Sequence, residues 1–402
     1  MSLVHVWPEG PAEKNGAVEL VAVLEMPSGS WETLWYRVPQ SHRSALSDDA
    51  DGFVAALALR LAAEGKDVRV HGRVSPSLLR NLESYQAAWQ SWKPGLYDRV
   101  TITADVEKER EAPRGEVQAI CGFSGGVDSS FTAYRHVRGV TTRFPQPLRA
   151  GVMVHGFDIP LEEDDMYQRA SAKAERQLAS LGLELIPVAT NFRALDIEWT
   201  HTFGPAVAGL LMQFGRRFSR GLVAQGVPFG SYRYIVEGSN PLTDPLLSSE
   251  AFRVLPDGAE FGRPDKIRVL ADWPEALEEL RVCWRGEEKD RNCCQCEKCI
   301  RNILTFRALG LGLPPCFERD VTDRQILEMG PLKEIIISVG YEPIIRMAEK
   351  AGSGGESWVK ALRKAIRRNR IEARMARTRI LWRLLRLKRR AKEFLRASGR
   401  GK

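Results

Sequence analysis

The pattern of apolar and polar positions changes character twice along the chain. Up to about residue 112 it alternates in short runs. Val18 to Met26 and Thr33 to Val38 read as strands joined by the turn Pro27 to Ser30. Phe53 to Ala63 has helical spacing, Asp67 to His71 reads as a short strand, Pro76 to Trp89 as a helix with Ser75 as N-cap, and Arg99 to Val106 as a last strand. Residues 1–112 are therefore expected to form an α+β domain. Asp48, Asp49 and Asp51 read as capping and solvated acids, Trp89 and Trp92 as core, and Lys108 to Glu116 as a linker.

From Val117 the pattern turns into strand, helix, strand, helix, the order of a parallel sheet covered on both faces. Val117 to Cys121, Ala150 to His155, Leu183 to Val188 and Gly221 to Ala224 read as strands. Helices are expected from Ser129 to Arg138, Met166 to Ser180 and Phe203 to Phe214. Ligands of such sheets bind beyond the carboxyl ends of the strands, which places His155, Asp158, Thr190 and Asn191 near one site. Glu237 to Glu250 is a long polar connection with Gly238, Pro241 and Pro245, and Ser239 and Asp244 in it are candidates for contacting substrate or metal.

Helices resume at Cys299 to Leu309, Asp323 to Met329 and Tyr341 to Lys350, so that 311–350 is expected as a helical extension. Ala351 to Ser357 reads as a flexible joint before a basic helical tail, residues 358–402, whose interrupted apolar stripe runs through Trp358, Leu362, Ile366, Ile371, Met375, Leu381, Leu384 and Leu385.

The chemistry concentrates at Cys121 to Tyr134. Ser124, Gly125, Gly126, Val127, Asp128 and Ser129 occupy the turn between a buried strand and a helix. Adjacent glycines let the backbone approach an anion, and the helix start aims unpaired N–H groups at the same place. Ser124 and Ser129 add hydroxyl donors, and Asp128 suits a phosphate only with a divalent cation between them. No Gly-Lys-Ser/Thr follows, and the third glycine of a dinucleotide fingerprint is missing.

The stretch resembles the Ser-Gly-Gly-x-Asp-Ser signature of the PP-loop ATP pyrophosphatases. The resemblance implies ATP and Mg²⁺ as cofactors, the loop holding the β- and γ-phosphates while a nucleophile attacks the α-phosphate. It implies Ser124 and Asp128, with Asp244, as catalytic candidates; Ser124 to Ser129, Val154, Asp158, Gly238 and Ser239 would contact the nucleotide.

Four of seven cysteines lie between Cys293 and Cys299. Cys293, Cys296 and Cys299 give C-x2-C-x2-C, and Cys283 stands ten residues upstream, a set suited to a closed, structural zinc site with Cys294 as the spare. With the Ser-Gly-Gly loop and Arg301, this set resembles the 7-cyano-7-deazaguanine synthase (QueC) family over about Val117 to Gly310, a PP-loop domain with a zinc module spanning 117–310. The resemblance implies adenylation of a carboxylate such as 7-carboxy-7-deazaguanine and its transfer to ammonia or an amine. It also extends to proteins of anti-phage defence systems, where it implies attachment of a deazaguanine to a partner protein. Two alternatives stay open: tRNA sulfuration with Cys294 or Cys121 as carrier, and a nucleotide-sensing or nucleic-acid-binding module without catalysis.

Charge changes one part of this picture. The chain of 402 residues has a formal charge of +8, but Lys360 to Lys402 holds 18 Lys and Arg against Glu372 and Glu393, leaving 41 bases and 49 acids elsewhere. The tail can pack its stripe on the body and solvate its arginines, but the uncompensated charge favours an anionic macromolecule, either an acidic protein, including a second copy of this chain, or nucleic acid. The absence of a long apolar run and the clustered cysteines fit a cytoplasmic protein with no membrane span.

Overall fold

The computed structural model describes residues 3–195 and 197–376. Those residues divide into two compact units, 3–293 with 314–318, and 294–313 with 319–376.

The larger unit is built on a ten-stranded sheet. Its first strands are β1 (Val4–Lys14), β2 (Ala17–Glu25), β3 (Trp31–Pro39), β4 (Val68–Val74) and β5 (Ile102–Glu107), with helices α1 (Asp51–Glu64) and α2 (Pro76–Trp92). Then follow β6 (Ala119–Gly122), α3 (Val127–Arg138), β7 (Leu148–His155), α4 (Asp164–Ser180), β8 (Glu184–Thr190), α5 (Trp199–Met212), β9 (Arg220–Ala224), β10 (Arg253–Asp257), α6 (Arg263–Leu270) and α7 (Pro274–Glu279). The strand order is β10-β9-β6-β7-β8-β3-β2-β1-β4-β5. The first five strands of this order pair in parallel, as alternation of strand and helix demands. The β1–β2 and β2–β3 pairs are antiparallel, and β1–β4 and β4–β5 parallel.

The two sets of strands meet at a short antiparallel seam, Tyr36 opposite Thr190 and Arg37 opposite Ala189. Side chains at the end of β8 reinforce it. Thr190 Oγ1 donates to the Trp35 carbonyl (2.7 Å), the Trp35 amide donates to Asn191 Oδ1 (2.9 Å), and Asn191 Nδ2 donates to the Thr33 carbonyl (2.6 Å). Thr190 and Asn191 therefore serve the sheet rather than a ligand.

Helices α1 and α5 touch through their backbones. A Cβ on Gly52 would stand 2.7 Å from the Gly209 carbonyl oxygen, and one on Gly209 would stand 2.3 Å from the Gly52 carbonyl oxygen, so neither position admits a side chain without separating the helices. The segment expected as a linker is likewise fastened. Arg110 is buried and donates from Nη1 to Ser47 Oγ (2.8 Å) and Asp49 Oδ2 (3.4 Å), while Glu109 accepts the Ser77 amide (2.7 Å) at the start of α2.

Of the acids at the start of α1, Asp48 is exposed as expected, whereas Asp49 and Asp51 are buried. Asp51 is fully buried and accepts both the Ser75 amide and hydroxyl at 2.7 Å, so Ser75 stands at the start of α2 but spends its hydroxyl on Asp51. Burial, together with the neighbouring Asp49 charge, pushes the Asp51 carboxyl up to about 6. Trp89 is core as expected, edge-on to Trp92 and Tyr97.

The smaller unit contains α8 (Glu297–Ala308), α9 (Asp323–Leu327), α10 (Glu342–Lys350) and α11 (Ser357–Ala376), with a π-helical stretch at Ile336–Tyr341 before α10. Trp358, Val359, Leu362, Ala365 and Ile366 of α11 are buried against their own unit. The first part of the supposed tail is thus core, because its stripe is matched by α9 and α10; Leu381, Leu384 and Leu385 lie outside the described residues. Among the described residues no helix is long and apolar enough to cross a membrane.

Candidate functional site

The Ser-Gly-Gly loop leaves β6 at its carboxyl end and enters α3. Gly125 has φ +70°, a left-handed conformation that glycine adopts freely, and this turn folds the loop back on itself. Ser129 Oγ accepts the Ser124 amide (3.2 Å) and donates to the Gly126 carbonyl (3.2 Å), so the two serines brace the loop from within. The amides at the start of α3 lack intrahelical acceptors, and the dipole of the helix adds positive potential there.

Three cations close around this loop in the larger unit. Arg263 Nη2 and Lys266 Nζ, both from α6, donate to Asp128 Oδ2 and Oδ1, each at 2.9 Å. Arg281 donates its backbone amide to the Gly125 carbonyl (2.8 Å) and its Nη2 to the Ser124 carbonyl (3.3 Å), and the same Nη2 lies 3.8 Å from Asp158 Oδ2. Burial alone raises the Asp128 pKa, but the Arg263 and Lys266 charges outweigh it and hold the carboxyl below its ordinary range. Both Asp128 oxygens are engaged by cations, so a magnesium ion at Asp128 would share an oxygen with Arg263 or Lys266.

A buried amide packs against the loop. Gln177 of α4 is fully buried, its side-chain amide has no hydrogen-bond partner among the described residues, and its Oε1 lies 3.3 Å from where a Gly125 Cβ would be. A buried amide of this kind costs free energy unless something bonds to it, and a phosphate oxygen at the loop suits its NH₂. The donor set therefore fits a nucleotide polyphosphate.

Behind the loop the polar contacts continue. Lys266 Nζ also donates to the Gln225 carbonyl. Gln225 Nε2 donates to Ser239 Oγ (2.7 Å) and Asp244 Oδ2 (2.8 Å), and Tyr232 donates to Gln225 Oε1 (2.6 Å). Ser239 Oγ donates to Asp244 Oδ2 (2.7 Å), and the Asn240 amide to Oδ1 (2.9 Å). Burial pushes the Asp244 carboxyl up to about 6 despite these donors. The structure thus joins Asp128, Ser239 and Asp244 through Lys266 and Gln225. Asp244 is 1% exposed, which makes it an organiser of the 237–250 connection rather than a surface open to substrate.

The remaining expected positions are dispersed around the loop. Gly238 packs on the start of α5, where its amide donates to the Thr200 carbonyl (2.8 Å) and its carbonyl lies against Gly204. Val154 is half-buried on β7 opposite Val188. His155 bonds the Pro160 carbonyl through Nε2 (2.8 Å) and stacks on Tyr167, the role of a strand-end brace. Arg263, Lys266, Arg281, Gln177 and Gln225 were not anticipated.

The cysteines gather as their spacing predicts. The sulfur atoms of Cys283, Cys293, Cys296 and Cys299 all lie within 4.8 Å of one another. Zn–S bonds of about 2.3 Å put tetrahedral sulfurs about 3.8 Å apart, so the four thiols fit a zinc ion after small adjustments. The Arg285 amide donates to Cys283 Sγ (3.4 Å), and Asn292 fastens the preceding segment to the Leu280 and Cys316 carbonyls. Cys294, the spare, is buried with φ +58°. Burial pushes the Cys121 thiol up to about 12. Neither Cys294 nor Cys121 has the exposure that a sulfur carrier needs.

Comparison with known proteins finds distant relatives of one kind among the curated proteins. The chain is 28% identical over 257 residues to GMP synthase (glutamine-hydrolyzing) of Corynebacterium glutamicum (strain R), covering 58% of this chain and 48% of that protein. The protein of the same name from Corynebacterium efficiens is 28% identical over 260 residues (59% and 48%), and that from Corynebacterium jeikeium 30% identical over 172 residues (41% and 32%). The chain spans about half the length, or less, of these curated relatives. No family model and no solved structure matches it. The chain is thus weakly similar, over little more than half of its length, to GMP synthase, an enzyme of the PP-loop ATP pyrophosphatase superfamily.

Proposed function

We propose that this chain is an ATP-dependent carbon–nitrogen ligase acting on a purine-like small molecule. A carboxylate or carbonyl-type oxygen of the substrate attacks the α-phosphorus, the bond to the β-phosphate breaks, and pyrophosphate leaves. A nitrogen nucleophile, ammonia or an amine, then attacks the activated carbon, and AMP departs with the substrate oxygen while the nitrogen gives up a proton. The observation that carries this reading is the Ser124–Ser129 loop with Arg263, Lys266 and Arg281 converging on it.

The amides of Gly125, Gly126 and Val127 and the hydroxyls of Ser124 and Ser129 hold the β- and γ-phosphates. Arg263, Lys266 and Arg281 neutralise the charge that builds on departing pyrophosphate, which is where fixed cations accelerate such a step most. Magnesium, when bound with ATP, supplies further charge neutralisation. Val154 and Asp158 face the adenosine. Gly238, Ser239 and Asp244 set the shape of the neighbouring connection and act by positioning. Zinc on the four cysteines is structural, because a closed thiolate site keeps no open position for water.

Two lines favour a purine-like substrate. The named relatives make a guanine nucleotide, and the QueC resemblance implies a deazaguanine acid, which has the same ring outline. Incubating the protein with ATP, magnesium and ammonia, and separately with 7-carboxy-7-deazaguanine and with oxo-purine nucleotides, tests this through pyrophosphate release and product mass. Substrate-dependent pyrophosphate and AMP support it; release of orthophosphate and ADP sinks the assignment.

A further inference from the structure

The smaller unit carries a groove of about 600 Å³ between α10 and α11 that the ligase reading leaves without a task. Its apolar lining comes from Ile345, Ile366 and Ile371, the last 45% exposed. Its walls carry five arginines and two glutamates.

The arginines are not equivalent. Arg363 pairs with Glu349, Arg370 with Glu334 and Glu342, and Arg346 lies 3.8 Å from Glu342. Arg367 and Arg374 line the same groove with no acidic partner among the described residues. They stand seven residues apart on α11, two turns or about 10 Å along one face. Ile371 lies between them in sequence, four residues beyond Arg367.

This combination points to one kind of occupant. We infer that the α10–α11 groove receives an amphipathic, acidic helix of a partner protein, its apolar residues on Ile345, Ile366 and Ile371 and its carboxylates on Arg367 and Arg374. Helices seat in grooves between two others by this division of labour, with apolar anchors at i, i+3, i+4 and i+7. A nucleic acid fits less well, because phosphate binding draws on many unpaired cations and has no use for an isoleucine floor, whereas most of the arginines here are already held by glutamates. The lining from Arg363 to Arg374 extends about 16 Å, three turns of a helix.

The test uses the full-length protein and fluorescence anisotropy. The probe is a labelled peptide of about 14 residues with leucines at i, i+3, i+4 and i+7 and glutamates at most other positions. Its scrambled isomer and an oligothymidine serve as comparison probes, because the basic segment beyond Ala376 attracts any anion. The amphipathic peptide is expected to bind at least tenfold more tightly than its isomer, and Ile371→Ser and Arg367→Glu/Arg374→Glu are each expected to weaken it by about tenfold or more. Ile371 is half exposed, so its change spares the fold, and circular dichroism verifies this for each variant. Equal binding of the two peptides, or peptide affinity unmoved by Ile371→Ser, overturns the proposal. So does a groove whose substitutions weaken oligothymidine more than the peptide.

Discussion

Lys266 Nζ lies 2.9 Å from Asp128 Oδ1, and its side chain is 1% exposed. A lysine so enclosed needs a counter-charge, so Asp128 has a structural duty besides any role at phosphate. Asp128→Asn is expected to cost on the order of 3 kcal/mol by leaving Lys266 unpaired. Asp128→Ala is expected to destabilise for the same reason. Lys266→Met should cost less, because Arg263 still holds Asp128, while pyrophosphate release falls by about 10²-fold or more. Denaturant unfolding and pyrophosphate assays on the three variants check this; a fully stable Asp128→Asn protein refutes the pairing.

Asp244 gives a pH prediction of definite sign. Its carboxyl is raised from 3.8 to about 6 by burial, so between those values the folded state keeps a proton that the unfolded state has released. Its contribution is therefore present below about pH 4, declines as pH rises toward 6, and is flat above. The stability of wild type minus that of Asp244→Asn should fall across this window. A difference that rises with pH there shows Asp244 ionised in the folded protein.

For the cysteines, about one zinc per chain is expected, and Cys296→Ser should lower both zinc content and melting temperature. Cys294→Gly should keep zinc and change stability by less than about 1 kcal/mol, since φ +58° is strained for cysteine and free for glycine. Metal analysis of both variants separates the ligands from the spare; loss of zinc in Cys294→Gly reassigns the set.

The burial of α11 sets where the chain tolerates truncation. Ending it after Ala376 should leave the melting temperature within a few degrees, whereas ending it after Glu356 removes Trp358, Val359, Leu362 and Ile366 from a packed unit and should unfold that unit. Thermal melts of the two truncated proteins distinguish a recognition appendage from a structural helix.

What the sequence made legible follows from local geometry. Ser124–Ser129 was readable because a turn between strand and helix needs its glycines at fixed spacing, and the thiols because C-x2-C brings sulfurs together within one short segment. The strands β1 and β10 escaped notice because Pro8, Pro11 and Pro256 interrupt their pattern. Prolines are tolerated there because β10 is an edge strand, and β1 pairs with β4 only at Val4–Val6. Arg263, Lys266 and Arg281 reach the loop from at least 135 residues away and have no spacing signature toward it. One signal was present. Arg263, Lys266, Ile267 and Leu270 share one helical face, and Lys266 sits beside buried isoleucine and leucine where a solvated lysine does not belong.

The reciprocal contact of Gly52 and Gly209 bears on how such a chain can change over generations. A block that docks through side chains can be gained or lost with modest repair, but one that docks backbone to backbone imprints its host helix with a notch. A descendant that shed residues 1–112 would keep a bare groove along α5 at Gly209, and one that filled Gly209 would expel α1. The two glycines are therefore expected to be kept or lost together, as one steric unit rather than two positions.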